Sequence, residues 1–161
     1  MASKHEDPDH ESAGAWAKKY HLASRAVLES VLRPYDLGPT QWYVLHHLVN
    51  LGPTKQRDLG QMLKLERATL SGIVATLVRK GLVEQIPDAT DQRQRVLHIT
   101  AAGTQLWEEI PDPIAQTSAV AFDGADSEEL AVALRVLQTA TQRLHDHTAR
   151  EIPHADVTSG R

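Results

Sequence analysis

Small, hydroxyl-bearing and basic side chains are concentrated between residues 67 and 79, in the segment RATLSGIVATLVR. Arg67 can donate two hydrogen bonds to the O6 and N7 atoms of guanine, and the hydroxyls of Thr69 and Ser71 can bond to phosphates or base edges. Gly72 costs a helix about 1 kcal/mol relative to alanine, so its presence needs a reason, either a close approach of DNA or tight packing between helices. The alternative interpretation is that these residues form the solvent face of an amphipathic helix.

A second charged group follows in the polar segment PDATDQRQR, residues 87–95. If this segment is extended, Arg93 and Arg95 project to the same side, because side chains alternate along a strand. Asp91 can form an ion pair with Arg93, and an arginine held at a protruding tip suits the negative potential of a DNA minor groove. Taken alone, charges at a loop tip are also consistent with a purely solubilising role.

Three helices are predicted upstream of the second charged group. The first begins at Gly38 and Pro39 and ends at Leu51, the next is capped by Thr54, and the last covers about 66–80. Only two or three residues separate the second helix from the third, which is the spacing of a helix-turn-helix. The predicted core faces are, in chain order, Trp42, Leu45, Leu48 and Val49; Leu59, Met62 and Leu63; and Leu70, Ile73, Val74, Leu77 and Val78.

Two strands complete this unit. Apolar and polar residues alternate over 83–86 and 96–99, on either side of the polar segment, and predict a β-hairpin, or wing. A helix-turn-helix followed by such a hairpin is a winged helix-turn-helix, and the second helix of a helix-turn-helix enters the major groove of DNA. This order of elements makes the solvent-face interpretation of residues 67–79 the weaker one.

Helices are also predicted on both sides of this unit. One covers about 13–33 and carries a wide apolar stripe. Thr100 caps another, which Pro111 and Pro113 should kink or break, and Ser127 caps the last. The last helix has a coiled-coil-like seam formed by Leu130, Leu134, Leu137, Thr141 and Leu144.

Charge and composition narrow the function classes. The 161-residue chain has a net charge of −4, but residues 54–95 hold eight Lys or Arg against five acids, a charge of +3 that leaves −7 for the rest. One basic face on an acidic body suits a protein that contacts phosphate on one side only. The absence of cysteine excludes thiolate zinc sites and thiol-based sensing. The spacing of the nine histidines does not indicate a metal site, and no nucleophile–base pair or phosphate loop indicates an enzyme.

Four short motifs, in this order and spacing, resemble the MarR family of bacterial transcriptional regulators. They are Asp58-Leu59-Gly60, Lys80-Gly81-Leu82-Val83, Asp91-Gln92-Arg93 and Ile99-Thr100-Ala101-Ala102-Gly103. The resemblance covers about residues 13–150. It implies a mainly α-helical fold with a small β-hairpin (α+β), in which a winged helix-turn-helix is joined to a dimerisation region made by the N- and C-terminal helices.

The resemblance also implies a division of the chain and a set of partners. The expected parts are a disordered tail over 1–11, a dimerisation helix over 12–37, a DNA-binding domain over 38–100, two further dimerisation helices over 101–151 and a disordered tail over 152–161. The expected partners are double-stranded DNA and a second copy of the chain, in a homodimer. A small aromatic or phenolic ligand is a third possible partner.

By this resemblance, the fourth helix lies in the major groove of a pseudo-palindromic operator and the wing lies in the minor groove. Departures from the family pattern are Gln92 and Thr76, where arginine is frequent, and Glu66, where Asp or Ser is the usual cap. These departures lower the expected affinity. The expected DNA-binding residues are Thr54, Lys55, Gln56, Arg67, Ala68, Thr69, Ser71, Gly72, Thr76, Arg79, Asp91, Arg93 and Arg95.

The ligand would bind in the cleft between the dimerisation region and the winged unit, where aromatic walls and a basic group suit an aromatic acid. The expected ligand-binding residues are Trp16, Tyr20, His21, Arg25, Trp42 and His46. The alternative for the two tryptophans is a place in the core. The alternative for the two histidines is an exposed or half-buried position without a ligand.

The sequence thus predicts a dimeric, ligand-responsive repressor without a metal or another cofactor, and without enzyme activity. No apolar run reaches the roughly 18 residues that span a membrane, and the acidic start MASKHEDPDHES is not a signal peptide, so we expect the cytoplasm. The alternative function is a winged-helix module that binds proteins and has no specific DNA binding.

Overall fold

The computed structural model describes residues 12–151 of the chain. The two tails that the sequence predicts to be disordered, 1–11 and 152–161, lie outside the described residues. Contacts divide the chain into two compact units, of which the first ends at Ala121 and the second begins at Phe122.

Helices dominate the first unit, and short strands connect them. Its elements are α1 (Ala13–Leu32), a 3-10 turn (Arg33–Tyr35), α2 (Pro39–Leu51), β1 (Thr54–Lys55), α3 (Gln56–Leu63), α4 (Arg67–Arg79), β2 (Val83–Pro87), β3 (Arg95–Ile99), α5 (Ala101–Glu109) and α6 (Pro113–Ala121). The second unit contains α7 (Ser127–Glu151). Within the described range, no helix is long and apolar enough to cross a membrane. The predicted mainly helical winged helix-turn-helix is confirmed.

The sheet has one strand more than the predicted hairpin. Its three strands are antiparallel in the order β1-β3-β2, and β1 pairs Thr54 with Leu97. The prediction that Thr54 caps α3 was wrong, because Thr54 is buried in β1 and its hydroxyl donates to the Gly52 carbonyl at 2.9 Å. Lys55 occupies the cap position of α3 without a side-chain hydrogen bond.

The core of the first unit joins α2, α4 and the sheet through leucine and valine side chains. Val49, Met62 and Val78, which the sequence placed in the core, are 37%, 51% and 40% exposed. Val49 and Val78 each follow a buried leucine, and the helical rotation of about 100° per residue carries them to the surface. On α3, Gly60 rather than Met62 completes the buried face.

A tight turn joins α3 to α4. Lys64 adopts a left-handed conformation (φ 52°), and the Leu65 amide donates to the Gly60 carbonyl at 2.9 Å. A Cβ atom at Gly60 would lie 3.3 Å from Cδ2 of Leu70, so the absence of a side chain there lets the two helices approach closely. This turn fixes the angle at which α4 leaves the body of the unit.

Thr100 fastens the start of α5 to the end of α4. Its hydroxyl accepts a hydrogen bond from the Gly103 amide at 3.0 Å and donates to the Gly81 carbonyl at 2.7 Å, which confirms the predicted cap. A Cβ atom at Gly103 would collide with the Leu82 carbonyl oxygen and lie 2.8 Å from Cγ1 of Ile99. The last glycine of the Ile99–Gly103 motif is therefore required by packing.

The prolines divide the region after the wing into more helices than expected. As predicted, the helix that Thr100 caps is broken, since α5 ends at Glu109 and α6 begins at Pro113. Asp112 caps α6, because its Oδ1 atom accepts from the amides of Ile114 and Ala115. The sequence predicted two helices here where the structure has α5, α6 and α7.

Apolar side chains at the two ends of the chain are exposed. On α1 only Leu28 and Leu32 are buried, whereas Trp16 is 59% exposed, so the predicted wide buried stripe is wrong for the single chain. In the second unit, three leucines of the predicted seam on α7 are 49–66% exposed: Leu134, Leu137 and Leu144. Asp126, not Ser127, caps α7 by accepting from the Glu128 amide at 3.1 Å.

Candidate nucleic-acid interface

An open groove of about 950 Å³ lies between the helix-turn-helix and the wing. Its charged lining is strongly biased, with five bases and a single acid, Glu66, which gives a formal charge of +4. The bases are Arg57, Lys64, Arg67, Arg93 and Arg95. A positive groove of this kind complements a phosphate backbone.

The groove unites only part of the predicted DNA-binding set. It contains Gln56, Arg67, Ser71, Arg93 and Arg95. Besides Glu66, five further polar residues that line it were not predicted from the sequence: Arg57, Gln61, Lys64, Gln85 and Gln94. Helical spacing from Leu59 could have placed Arg57 and Gln61 on the outer face of α3, but no local pattern indicated Gln85, which reaches the groove through sheet pairing.

The outer face of α4 is made of small residues and one arginine. Arg67, Ala68, Thr69, Ser71 and Gly72 are all exposed, while Leu70, Val74 and Leu77 face the core. Among residues 12–151, a Cβ built on Gly72 would meet no other side chain and no backbone outside its own stretch of helix within 4 Å, so packing against another described element does not explain this glycine. Of the two reasons predicted for it, tight packing between the described helices is therefore excluded.

The two ends of α4 differ from the middle of that face. Glu66 makes no capping hydrogen bond, as its residue type led us to expect. Thr76 is half-buried, and its hydroxyl donates to the Gly72 carbonyl at 3.1 Å and accepts from Nη2 of Arg79 at 3.4 Å. Ala75, not Thr76, is the next exposed residue on the face of Ser71 and Gly72.

The wing is held in shape by two aspartates. The Oδ1 atom of Asp88 accepts from the amides of Thr90 and Asp91 and from the Thr90 hydroxyl, at 2.6–2.9 Å. Its Oδ2 atom lies 3.4 Å from Nζ of Lys55. These bonds, first of all the one from the Thr90 hydroxyl, keep the pKa of Asp88 well below its ordinary value.

The predicted arrangement of the wing arginines was wrong. Arg93 lies in a turn and Arg95 begins β3, so the two are not neighbours on one extended strand. The carboxylate of Asp91 accepts from the Arg93 amide at 3.1 Å and from Nε2 of Gln94 at 3.2 Å, and no ion pair with the Arg93 guanidinium occurs in the described part of the chain. Asp91 thus orders the backbone of the tip and leaves the guanidinium of Arg93 exposed.

Two other predicted contacts are less accessible than expected. Thr54 is 8% exposed and bonds within its own turn, so it cannot reach a ligand on the surface. Lys55 is half-buried and paired with Asp88, so part of its charge is neutralised within the protein. Gln56 is the first residue of this stretch whose side chain lines the groove.

An aromatic cluster joins α2 to α5. The rings of Trp42 and His46 stack with centroids 5.0 Å apart, and Trp107 stacks on Trp42 at 5.4 Å. Burial lowers the pKa of His46, His47 lowers it further, and Asp112 opposes both. The sequence had not indicated Trp107, because only the tertiary fold brings α5 against α2.

The structure brings two of the six predicted ligand-binding residues together, Trp42 and His46. Trp42 is only 3% exposed, as the core alternative predicted, and His46 is half-buried. The other four lie on exposed positions of α1: Trp16, Tyr20, His21 and Arg25. Among residues 12–151, no group of three or more His, Cys, Asp or Glu side chains could hold a metal ion.

Solved structures of several bacterial regulators share this fold. A mutant MarR from E. coli complexed with operator DNA is 21% identical, with a TM-score of 0.73 over 79% of this chain and 91% of that one. PcaV from Streptomyces coelicolor is 23% identical, with a TM-score of 0.71 over 84% and 99%. BpsR from Bordetella bronchiseptica, whose DNA binding is regulated by 6-hydroxynicotinic acid, is 22% identical, with a TM-score of 0.73 over 83% and 97%.

The sequence comparison agrees with the fold. Residues 35–94 match the sequence model of the MarR family. The matched segment runs from the last residue of the 3-10 turn before α2 to the tip of the wing, just before β3, and so contains the whole helix-turn-helix and most of the groove. Residues 35–94 are thus similar in sequence to the MarR family, and the chain shares its fold with the solved regulators.

Proposed function

We propose that this protein is a homodimeric transcriptional repressor that binds a pseudo-palindromic operator, with α4 in the major groove and the wing in the minor groove. The observation that carries the proposal is the groove between α4 and the wing, whose charge of +4 contrasts with the net charge of −4 of the chain. The basic groove complements the charge of the DNA phosphate backbone, and the exposed face of small residues on α4 fits into a major groove.

The proposed contacts follow from exposure. Arg67 and Ser71 line the groove from α4, and Ala68, Thr69 and Gly72 continue the exposed face of that helix. Gln56, Arg79, Arg93 and Arg95 extend the surface, with Asp91 shaping the wing and Lys55 at its base. We add Arg57 and Lys64 to this surface, and we leave out Thr54 and Thr76 because their hydroxyls are engaged within the protein.

The proposal of a homodimer rests on apolar side chains that the single chain leaves in water. Leu134, Leu137 and Leu144 recur at heptad-like spacing on α7 and are about half to two-thirds exposed. A soluble chain is stabilised when a second copy covers such a seam. Two copies would present two α4 helices, as a pseudo-palindromic operator requires.

We further propose that a small aromatic acid regulates DNA binding from a site beside the cluster of Trp42, His46 and Trp107. Stacked rings next to a histidine suit such a ligand. The regulation of DNA binding in BpsR by 6-hydroxynicotinic acid supports this ligand class. Thermal-shift measurements with phenolic and aromatic acids test it, since a ligand that prefers the native state raises the melting temperature.

A mobility-shift titration tests DNA binding. The probe is the duplex upstream of the protein's own gene, and the control is a shuffled duplex of the same composition. We expect the protein to bind the upstream duplex more tightly than the control. The affinity should fall steeply as the salt concentration rises, because binding of the basic groove releases counterions from the DNA phosphates. A shift equal for both duplexes, or none, would contradict a repressor and favour a protein-binding winged helix.

A further inference from the structure

A chain of side-chain hydrogen bonds crosses the floor of the groove. Nε2 of Gln85, on β2, donates to Oε1 of Gln56 at 2.6 Å. Nε2 of Gln56, at the start of α3, donates to Oγ of Ser71 at 3.2 Å. The chain thus connects the wing sheet, α3 and the outer face of α4 through three polar side chains, all of which line the groove.

The direction of these bonds decides what Ser71 can offer. A hydroxyl has one hydrogen to donate and two lone pairs to accept. Because Ser71 accepts from Gln56, its own hydrogen is available, and within residues 12–151 its hydroxyl donates to no other group. Thr76 on the same helix differs, since its hydroxyl donates to the Gly72 carbonyl and has no hydrogen left for a ligand.

We propose that Gln85 and Gln56 act as positioning residues that fix Ser71 as a hydrogen-bond donor to an acceptor atom on a base edge in the major groove. The inference rests on the proposed function and deepens it. Ser71 is exposed and lies one turn after Arg67 on the same face, in the first half of α4, where a recognition helix meets base edges.

A fixed donor discriminates between bases. Guanine and thymine present acceptors in the major groove, whereas cytosine presents the N4 amino group, which is itself a donor. Ser71 should therefore favour guanine or thymine over cytosine at the base that it faces. The hydrogen bonds from Gln85 to Gln56 and from Gln56 to Ser71, which we call the glutamine relay, are exposed to water in the free protein. Bound DNA would cover them, and a hydroxyl that then faced the base with the wrong group would leave a buried polar atom unpaired. The orientation of Ser71 would therefore affect the free energy of binding.

The relay can be inverted by one isosteric change. In Gln85→Glu the carboxylate cannot donate, so the Gln56 amide must turn its NH₂ group toward residue 85 and its oxygen toward Ser71. The Ser71 hydroxyl then donates to Gln56 and presents only lone pairs to the DNA. The added negative charge weakens binding to every sequence alike, so the base preference, not the affinity, is the informative quantity.

The test uses the full-length protein and a randomised double-stranded DNA library. Selection with the wild type defines the site. Comparison with Ser71→Ala then identifies the base pair that Ser71 contacts, because there the ratio of affinities between preferred and disfavoured bases should fall about three- to tenfold, as for the loss of one neutral hydrogen bond. Gln85→Leu should lose the same preference, and should lose nothing more in the Ser71→Ala background. Gln85→Glu should reverse the preference toward cytosine or adenine. As a control, Gln105→Leu removes an exposed glutamine outside the groove and should leave the base preference unchanged.

The outcomes separate this inference from the proposed function. If the wild type enriches no sequence, the repressor function itself fails. A second outcome is that the wild type enriches a site while Ser71→Ala lowers the affinity equally whatever base occupies each position. In that case Ser71 contacts phosphate, and the inference is overturned while the proposed function stands. The inference is likewise overturned if Gln85→Leu keeps the wild-type preference, or if its effect adds to that of Ser71→Ala. Circular dichroism and melting temperature confirm that each variant is folded.

Discussion

The winged unit and helix α7 use apolar residues in opposite ways. In the winged unit, leucines from α2, α4 and β3 are nearly inaccessible, and its buried side-chain polar atoms, among the residues described, are all hydrogen-bonded. On α7, by contrast, Leu134, Leu137 and Leu144 remain about half or more exposed. The winged unit completes its core within the chain, whereas we propose that a second copy covers the apolar row on α7. The difference separates residues that hold the fold from residues that are available for an assembly.

The largest effect should come from breaking the seam on α7. Replacing both Leu134 and Leu137 with aspartate places charges at the centre of the exposed apolar row, so we expect a monomer in sedimentation experiments. Affinity for a palindromic duplex should fall by about two orders of magnitude or more, because the two half-sites are no longer bound together.

A matched control lies on the opposite face of the same helix. Thr139→Asp introduces one of the same charges about half a turn away from the row and should leave the dimer intact. If the double aspartate variant still sediments as a dimer, the seam on α7 is not the contact between copies, and the contrast with the winged unit disappears.

Alanine substitutions at two glycines test whether the winged unit is packed as tightly as the burial of its residues indicates. Gly103→Ala forces a methyl group against the Leu82 carbonyl, so the free energy of unfolding should fall by about 1–3 kcal/mol. Gly72→Ala meets open space and should stabilise the helix by about 1 kcal/mol. Denaturant unfolding measures both changes.

The same pair distinguishes packing from DNA contact. If DNA approaches α4 closely, Gly72→Ala should weaken operator binding although the protein becomes more stable. A more stable variant with unchanged affinity would show that the open space at Gly72 is not filled by DNA. A Gly103→Ala protein of wild-type stability would mean that α5 can move away from Leu82 at little cost.

The wing provides a smaller effect that concerns charge alone. Arg93→Ala should weaken binding about tenfold or less, chiefly at A·T-rich flanks, and lower the slope of log affinity against log salt by about 1. Gln92→Arg, which places a base where the family often has one, should raise affinity and salt dependence. Titrations at several salt concentrations measure both, and an unchanged slope in Arg93→Ala would show that the wing does not contact DNA.

The smallest effect concerns the aromatic cluster between α2 and α5. The pKa of His46 is lower in the folded protein than its ordinary value of about 6.5, so the unfolded chain binds more protons. The stabilising contribution is therefore full above about pH 6.5 and is lost as the pH falls through the folded pKa. The melting temperature should drop more between pH 7.5 and 5.5 in the wild type than in His46→Gln.

The variant His98→Gln serves as the control for that pH experiment, because it removes another half-buried histidine that lies outside the cluster. His47 and Asp112 remain in both proteins and influence His46 in opposite directions. Equal pH dependence of the wild type and His46→Gln would contradict the lowered pKa of His46.

The order of helices and the hairpin could be predicted because each leaves a local signal. Pro39, Gly81, Thr100 and Pro113 all mark helix ends where the sequence placed them, and helical spacing found the core of α4. Strand β1 could not be found this way, because two residues have no periodicity and Thr54 owes its place to pairing with Leu97.

The candidate site was predictable only where it is local. Arg67, Ser71 and Gly72 follow from the spacing on one helix, whereas Gln85 and Trp107 reach their places through the sheet and through helix packing. The role of Asp88 was within reach of sequence reasoning. An aspartate that bonds the amide two residues later is a common turn signal, and DATD at 88–91 has that form.

The turn that Asp88 and Asp91 hold together has a consequence for the conformational entropy that the wing would lose on binding. A loop that orders only on binding loses conformational entropy at that moment, and affinity falls accordingly. Here the wing backbone is fixed by hydrogen bonds inside the protein, so that entropy is lost during folding instead. If the wing binds DNA as we propose, it does so as a preformed element, and the exposed Arg93 side chain is what binding still has to order.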